Sequence, residues 1–183
     1  WSIVAGLGYK NSHKGIEGFL YGLPGQINPL GIGGYRHRLP GQLNLDFKND
    51  FRLENEGFAD YGFGNGDMKG SIKSGLTYVP RKFVKTSLIF GDFYETINDY
   101  ASLQQAFSMS NYVRTKSFGL AQRMEIVNGL FGELTLLYSD QRPINDIRLS
   151  AWSEKLFGGL NKPTDFIRYV KSEANMELVF RPG

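Results

Sequence analysis

Residues 42–54 of the chain read Gln-Leu-Asn-Leu-Asp-Phe-Lys-Asn-Asp-Phe-Arg-Leu-Glu, and they give the clearest indication of the fold class. Apolar side chains occupy every odd position except Asn49, and polar or charged side chains occupy every even position. Successive side chains of a β-strand point to opposite faces, whereas a helix would mix these two sets. We therefore predict one long strand over residues 42–54, with one apolar and one polar face.

The same alternation recurs along the chain. It predicts further strands at residues 71–78, 84–91, 118–126, 133–139 and 170–180, and less regular ones at 3–9, 16–22 and 31–38. Several of these runs approach the length of about 9–11 residues that a tilted membrane-spanning strand needs, against about 5–6 in ordinary strands. A membrane barrel with an apolar outer face and a soluble barrel with an apolar interior give the same alternation. The apolar face could therefore meet lipid or fill the interior of a soluble barrel.

The connections between the strands alternate in length. Counted from residue 42, they fall at 55–57, 65–67, 80–81, 96–112, 128–129 and 143–167. The two long connections are both even-numbered, so they lie at the same end of an up-and-down sheet. Short periplasmic turns and long external loops give outer-membrane barrels this asymmetry. Asn128-Gly129 predicts a type I′ hairpin, and apolar spacing in the long loops predicts short helices at 99–110 and 151–157.

Composition excludes several classes of protein. The 183 residues suffice for one domain. No run of about 18 apolar residues occurs, which excludes a transmembrane helix. The absence of cysteine excludes disulfides, thiolate metal sites and cysteine nucleophiles. The net charge is +3 and the basic residues are spread along the strands, so we expect no nucleic-acid partner.

The chain begins at Trp1 inside an apolar stretch and ends at Gly183, just after an alternating stretch. Residues 1–183 are therefore expected to be part of one barrel domain that continues beyond each end. An incomplete barrel leaves unpaired strand edges, whose backbone polar groups cannot be satisfied in lipid. We expect these residues alone not to insert stably into a membrane.

A search for catalytic or metal-binding patterns finds none. Neither His13 nor His37 has a second ligand at helical or hairpin spacing, so both are expected at ordinary polar positions. The glycine-rich residues 62–66 precede a strand and not a helix, which favours a hairpin over a phosphate loop. The nearest acidic cluster consists of Asp92, Glu95 and Asp99. It lacks the spacing of a calcium loop, which favours a solvated strand end. We expect no enzyme activity, cofactor or metal.

Charged side chains on the polar faces would line the lumen of a membrane barrel. The candidates are Lys73, Lys85, Arg123, Glu125, Glu133, Lys171, Glu173 and Glu177. Mixed charges in a lumen pair with one another in a narrow barrel or line a channel. Aromatic residues near the predicted strand ends are expected to form girdles at the membrane interfaces. These are Trp1, Trp152, Tyr78, Tyr138 and Tyr169.

Several sequence blocks occur in an order that resembles a known family. They read IleAsnProLeuGlyIleGlyGlyTyrArg at 27–36, TyrValProArgLysPhe at 78–83, IleAsnAspTyr at 97–100 and ArgMetGluIleValAsnGlyLeu at 123–130. In this order they resemble large Bacteroidota outer-membrane proteins of unknown function, in which an N-terminal carboxypeptidase-regulatory-like domain precedes a C-terminal barrel. The resemblance spans roughly residues 15–183. Residues 1–183 do not include the regulatory-like domain, whose name implies no peptidase activity.

The resemblance implies a transmembrane β-barrel located in the cell outer membrane, with its lipid bilayer as a partner. It carries over no catalytic or ligand residue. Three functions stay open. The barrel could be a structural or accessory subunit of a surface export, assembly or uptake complex, alongside other outer-membrane proteins. It could be a passive or gated pore for small solutes. It could instead be a soluble lipocalin-like barrel that binds an apolar ligand inside.

Overall fold

Ten strands carry the fold in the computed structural model, which describes residues 2–32, 34–48, 50–78, 84–96, 112–144 and 168–180. Two four-residue helical turns, α1 (Ser2–Ala5) and α2 (Leu23–Gln26), accompany them. The strands are β1 (Leu7–Asn11), β2 (Ile16–Leu20), β3 (Ile27–Gly31), β4 (Gly34–Asp46), β5 (Phe51–Gly62), β6 (Asp67–Tyr78), β7 (Val84–Thr96), β8 (Tyr112–Val127), β9 (Leu130–Arg142) and β10 (Tyr169–Phe180). No helix in these described ranges has the length and apolar character needed to cross a membrane.

The strands form one antiparallel sheet. From β4 to β10, each strand pairs with the next one along the chain, as the predicted up-and-down topology requires. The β1–β2 hairpin pairs with the second half of β4, and β3 pairs with its first half. Strands β1 and β10 lie at the two edges, so the described part of the sheet is all-β and up-and-down but not closed into a barrel.

Residues 42–54 contain a turn, so the prediction of one strand over this range is wrong. Strand β4 ends at Asp46 and β5 begins at Phe51, with Leu45 opposite Leu53 across the hairpin. The Phe47 N–H donates to the Phe51 carbonyl oxygen at 2.8 Å. The connection predicted at 55–57 lies inside β5. In this hairpin each residue pairs with one whose number is also odd, or also even, and paired residues share a face. The apolar residues therefore stay at odd positions on both sides of the turn, so the alternation does not reveal it.

The later strands confirm their predicted positions, mostly with added length. The hairpin at Asn128-Gly129 is confirmed, but its predicted type I′ is wrong, since that type needs positive φ at both central residues. Only Gly129 has it, at 79°, and the register shifts between Glu125 and Val127. The glycine-rich residues 62–66 form the predicted hairpin between β5 and β6.

The first 40 residues were predicted least well. Strand β2 confirms the expectation for 16–22, but residues 2–5 form a helical turn instead of beginning a strand. The predicted strand at 31–38 is confirmed from Gly34, where β4 begins, but its start is wrong, because the chain reverses where Gly31 pairs with Gly34. The predicted helices at 99–110 and 151–157 lie outside the described residues.

The two ends of the sheet differ in their connections. The long connections leave β7 and β9 at one end, which we call the long-loop end; residues 97–111 follow β7, and β10 begins only at Tyr169. The connections at 47–50, 79–83 and 128–129 leave from the other end, the short-turn end. The turn at 63–66 also lies at the long-loop end. The predicted separation of long and short connections is therefore confirmed.

Candidate functional site

The two faces of the sheet divide the side chains by polarity. Partners across antiparallel strands share a face. One face carries Leu88, Leu120 and Leu136 in register across β7, β8 and β9. We call this the apolar face. This face has no Asp, Glu, Lys or Arg among the described residues of β4, β5, β6 and β10. On β7, β8 and β9 the same holds from the short-turn end as far as Phe90, Phe118 and Tyr138.

Polar groups on the apolar face bond to one another. The Ser74 hydroxyl donates to the Asn55 side-chain oxygen at 2.8 Å, and the Thr86 hydroxyl donates to that of Gln122 at 2.6 Å. Removing a hydrogen-bonded polar group from water costs little free energy, whereas removing an unpaired one costs several times more. These two hydrogen bonds satisfy polar groups of β5, β6, β7 and β8 on the apolar face.

An aromatic row and then a charged row end the apolar face toward the long-loop end. Phe90, Phe118 and Tyr138 are in register, and the next row on this face is Asp92, Lys116 and Asp140. Arg114 donates two hydrogen bonds to Asp92, at 2.8 and 2.5 Å, and these lower the pKa of that carboxyl. Hydrogen bonds from Arg142 and Arg168 lower the pKa of Asp140 from 3.8 to about 2. The two carboxylates of this row therefore stay ionised at neutral pH.

The opposite face, the polar face, contains the most buried side chains. Ser87, Thr115, Ala121 and Ser139 are only 1–5% exposed, whereas Leu88, Leu120 and Leu136 are 41–47% exposed. A water-soluble domain buries its apolar side chains and exposes polar ones. In the described sheet, by contrast, the leucines of the apolar face are exposed, and serine and threonine side chains of the polar face are buried.

Register places all eight predicted lumen residues on the polar face. Lys85 stands opposite Arg123, Arg123 opposite Glu133, and Glu133 opposite Glu177. The remaining four are Lys73, Glu125, Lys171 and Glu173. Because the sheet is open, their position in a lumen stays a prediction.

Only some of these charges are paired. Lys85 forms an ion pair with Glu54, and Lys171 forms one with Glu173. The Gly129 N–H donates to Glu125 at 2.9 Å, and the Arg123 guanidinium lies 5.6 Å from the centroid of the Phe131 ring. Within the described ranges, the ion pairs do not include Lys73, Glu133 or Glu177.

A buried charge cluster at the long-loop end was not predicted. Its centre is Arg36, whose side chain is 2% exposed. The Arg36 Nε donates to Asp60 at 2.7 Å, and its Nη1 donates to Asp67 at 2.7 Å. Arg38 donates to the second oxygen of Asp60 at 3.0 Å. The Tyr94 hydroxyl donates to Asp67 at 2.6 Å.

This cluster ties four consecutive strands together, from β4 to β7. A buried charge is tolerated only when opposite charges and hydrogen bonds compensate it. The two carboxylates and the Ile32 carbonyl oxygen, 3.0 Å from Nη1, compensate Arg36. No signal in the sequence indicated this cluster, because its contacts depend on the strand register, which the sequence did not specify.

The other expectations about single residues have mixed outcomes. His13 lies in the turn at 12–15, and the His37 ring nitrogen lies 3.0 Å from the Tyr35 hydroxyl. Asp92 binds Arg114, whereas Glu95 accepts hydrogen bonds from Thr115 and Gln141, so these two acids do not converge. Asp99 lies outside the described residues, which include no group of three Asp, Glu or His residues placed to hold a metal. The absence of a catalytic, cofactor or metal site stays a prediction.

The residues predicted to form aromatic girdles do not all lie on the apolar face, and the girdles themselves stay a prediction. Tyr78 and Tyr138 lie on the apolar face toward opposite ends of the sheet. The ring centroids of Tyr78 and Phe51 are 4.7 Å apart at the short-turn end. Tyr169 is in register with Gln141 and therefore on the polar face, so its assignment to a girdle is wrong. Trp1 and Trp152 lie outside the described residues.

Comparison with known proteins gives one match. Residues 1–183 match the C-terminal domain of a family of unknown function, DUF5686. The chain belongs to this family. No curated protein and no solved structure matches it. The match agrees with the resemblance to a family of unknown function, and it assigns no activity to any residue.

Proposed function

We propose that the chain forms part of an integral β-barrel of the outer membrane, with its apolar face toward lipid. One observation carries this proposal. Large apolar side chains are exposed along the face of β4 to β10, while small and charged side chains are buried on the other face. A membrane barrel has this distribution, with an apolar band outside and a polar interior.

The same observation argues against the lipocalin-like alternative. A soluble barrel with an apolar ligand inside needs its apolar side chains on the concave, enclosed face. Here Phe90, Phe118 and Leu136 are 46–50% exposed. In water such a continuous apolar surface would promote association. The aromatic row followed by a charged row matches the interface of a bilayer.

Within the membrane, we propose a structural or accessory role in a surface export, assembly or uptake complex. The buried cluster around Arg36 and the ion pair between Lys85 and Glu54 connect the strands across the polar face. Such contacts stiffen a barrel wall and require no turnover or transport. Other outer-membrane proteins and the lipid bilayer are the partners that this role implies.

A pore for small solutes is the second candidate. It is favoured by charges of the polar face, among them Lys73, Glu133 and Glu177, that take part in no ion pair in the described part of the chain. Charged side chains that line an open lumen determine the selectivity of a channel. A cavity of about 120 Å³ lies between Arg123, Glu133 and Glu177.

Membrane fractionation of the complete native protein tests the proposal, followed by a mild-detergent pull-down and mass spectrometry. Partition to the outer membrane with stoichiometric companions would support the accessory role, and the companions would identify the process. Partition there without companions, together with conductance in planar bilayers, would support the pore. Recovery in the soluble fraction would contradict the membrane barrel.

A further inference from the structure

The polar face contains an apolar recess about halfway along the strands. Pro40, Phe58 and Ile89 occupy polar-face positions on β4, β5 and β7, and Tyr21 closes one side. The recess encloses about 460 Å³. Binding pockets for small molecules have about 300–1,000 Å³ and mostly apolar walls with a few polar groups. An apolar recess bordered by charged side chains therefore has the character of a ligand site.

Two opposite charges stand at the rim of this recess. Glu56 and Lys73 are direct cross-strand partners on β5 and β6, and both side chains are exposed. Although they face each other, they do not form an ion pair, and the other described ion pairs leave both of them out. Nearby Lys85, by contrast, is paired with Glu54. The rim thus offers one positive and one negative group to a ligand.

A second, polar cavity continues from the rim. It encloses about 240 Å³, and Gln42, Asn44 and Lys85 contribute to its walls. Glu56 and Lys73 border both cavities. A molecule with its apolar body in the recess would therefore place its polar end between these two charges, next to further hydrogen-bonding groups.

We propose that this recess binds a zwitterion with an apolar body, of the class of an apolar amino acid. Lys73 binds its carboxylate, Glu56 binds its ammonium group, and Phe58 and Ile89 contact its side chain. Cross-strand partners have Cβ atoms about 4.5–5.5 Å apart, a spacing suited to two ligand charges carried on one carbon. Arg38 stacks on Phe58 at 4.3 Å and binds Asp60, so it is not needed for the ligand. The site rests on the proposed barrel, because its ligand would enter through the lumen.

Three probes with the same phenyl group test this site. They are L-phenylalanine, 3-phenylpropionate, which lacks the ammonium group, and 2-phenylethylamine, which lacks the carboxylate. The complete protein, folded in detergent micelles, is titrated with each by calorimetry. We expect phenylalanine to bind about tenfold more tightly than either of the others, because each lost group removes one charge-assisted hydrogen bond.

Two variants assign the charges. Lys73→Gln should bring phenylalanine to the affinity of phenylethylamine, and Glu56→Gln should bring it to the affinity of phenylpropionate. Glu177→Gln makes the same chemical change on the polar face away from the recess and should leave all three affinities unchanged. Equal binding of the three probes to the unmodified protein would overturn the site, and so would no binding.

The failure of this site is distinguishable from failure of the barrel. A protein that partitions to the outer membrane and shows heat-modifiable migration, but does not discriminate between the probes, would overturn the ligand site alone. A protein recovered in the soluble fraction would overturn the barrel before any titration.

Discussion

Gly57 lies on the apolar face at a place where the sheet has no room for a side chain. A Cβ there would collide with the Ser71 carbonyl oxygen and come within 3.1 Å of the Ile72 Cα. Both are backbone atoms of the neighbouring strand, so relief requires a shift of the sheet itself. The neighbouring face position on β4 is also a glycine, Gly41.

The variant Gly57→Ala should therefore lower the free energy of unfolding by about 1–3 kcal/mol, the usual cost of overpacking. Gly18→Ala is the matched control, because a Cβ there meets its nearest atom at 3.8 Å, an ordinary contact. Urea unfolding of both variants in detergent measures the difference. Equal stability of the two variants would contradict the close approach of β5 and β6.

The buried cluster makes a second prediction at the level of single residues. The side chain of Asp60 is 4% exposed and binds both Arg36 and Arg38. Removing one partner of a buried ion pair costs roughly 3–5 kcal/mol, because it leaves a buried charge uncompensated. We expect Asp60→Ala to have this effect in urea unfolding.

Asp46→Ala provides the control for Asp60→Ala. The Asp46 side chain is 58% exposed and lies 3.6 Å from Arg52, and surface pairs of this kind contribute about 0–1 kcal/mol. A comparable loss of stability in both variants would show that the cluster around Arg36 is not buried in the folded protein.

At the level of single strands, β10 offers a direct comparison between the two faces. Met176 on the apolar face is 76% exposed, and its neighbour Asn175 on the polar face is exposed as well. In water, an arginine at either position would change stability by only about 0.5 kcal/mol. In a bilayer, an arginine on the lipid face near the midplane costs about 2–4 kcal/mol.

We therefore expect Met176→Arg to reduce the stability of the barrel in lipid vesicles far more than Asn175→Arg does. Unfolding by urea in vesicles of defined lipid composition would measure both. Equal tolerance of the two substitutions would indicate that the apolar face of β10 meets water.

The hairpin between β4 and β5 shows what the alternation could and could not predict. It gave the face of each residue correctly, because Leu45 and Leu53 are cross-strand partners and both odd-numbered. It could not give the turn, because that parity holds on both sides of it. The polar run Lys48-Asn49-Asp50 was the available signal, since such residues favour turns. Asp50 has a φ of +59°, a conformation that Asp tolerates better than most residues.

The polar face was predictable as a surface but not as a set of contacts. The eight candidate residues were placed on one face by parity alone. That Lys85 reaches Glu54 across Gly75, or that Arg36 meets Asp67 from β6, depends on strand register and on the space left by glycine. The alternation of apolar and polar residues specifies neither the strand register nor the space beside a glycine.

At the level of the whole molecule, the sheet is an open array whose two faces are inverted relative to a water-soluble protein. Its edges, β1 and β10, have no second strand partner among the described residues. The aromatic row, the charged row and the long connections share one end. These features agree with one orientation in a membrane, with the long-loop end outside.

Site-directed spin labelling can determine whether the apolar face meets lipid. Residues 1–183 contain no cysteine, so single cysteines at positions 133 to 138 of β9 can be introduced and labelled one at a time, with any cysteine elsewhere in the complete protein replaced first. In lipid vesicles, labels at Leu134, Leu136 and Tyr138 should collide often with oxygen and rarely with a water-soluble nickel chelate. Labels at 133, 135 and 137 should show the opposite preference. The opposite alternation, with high access of the nickel chelate at 134, 136 and 138, would show that the apolar face of β9 does not meet lipid. High access of the chelate at all six positions would show the same.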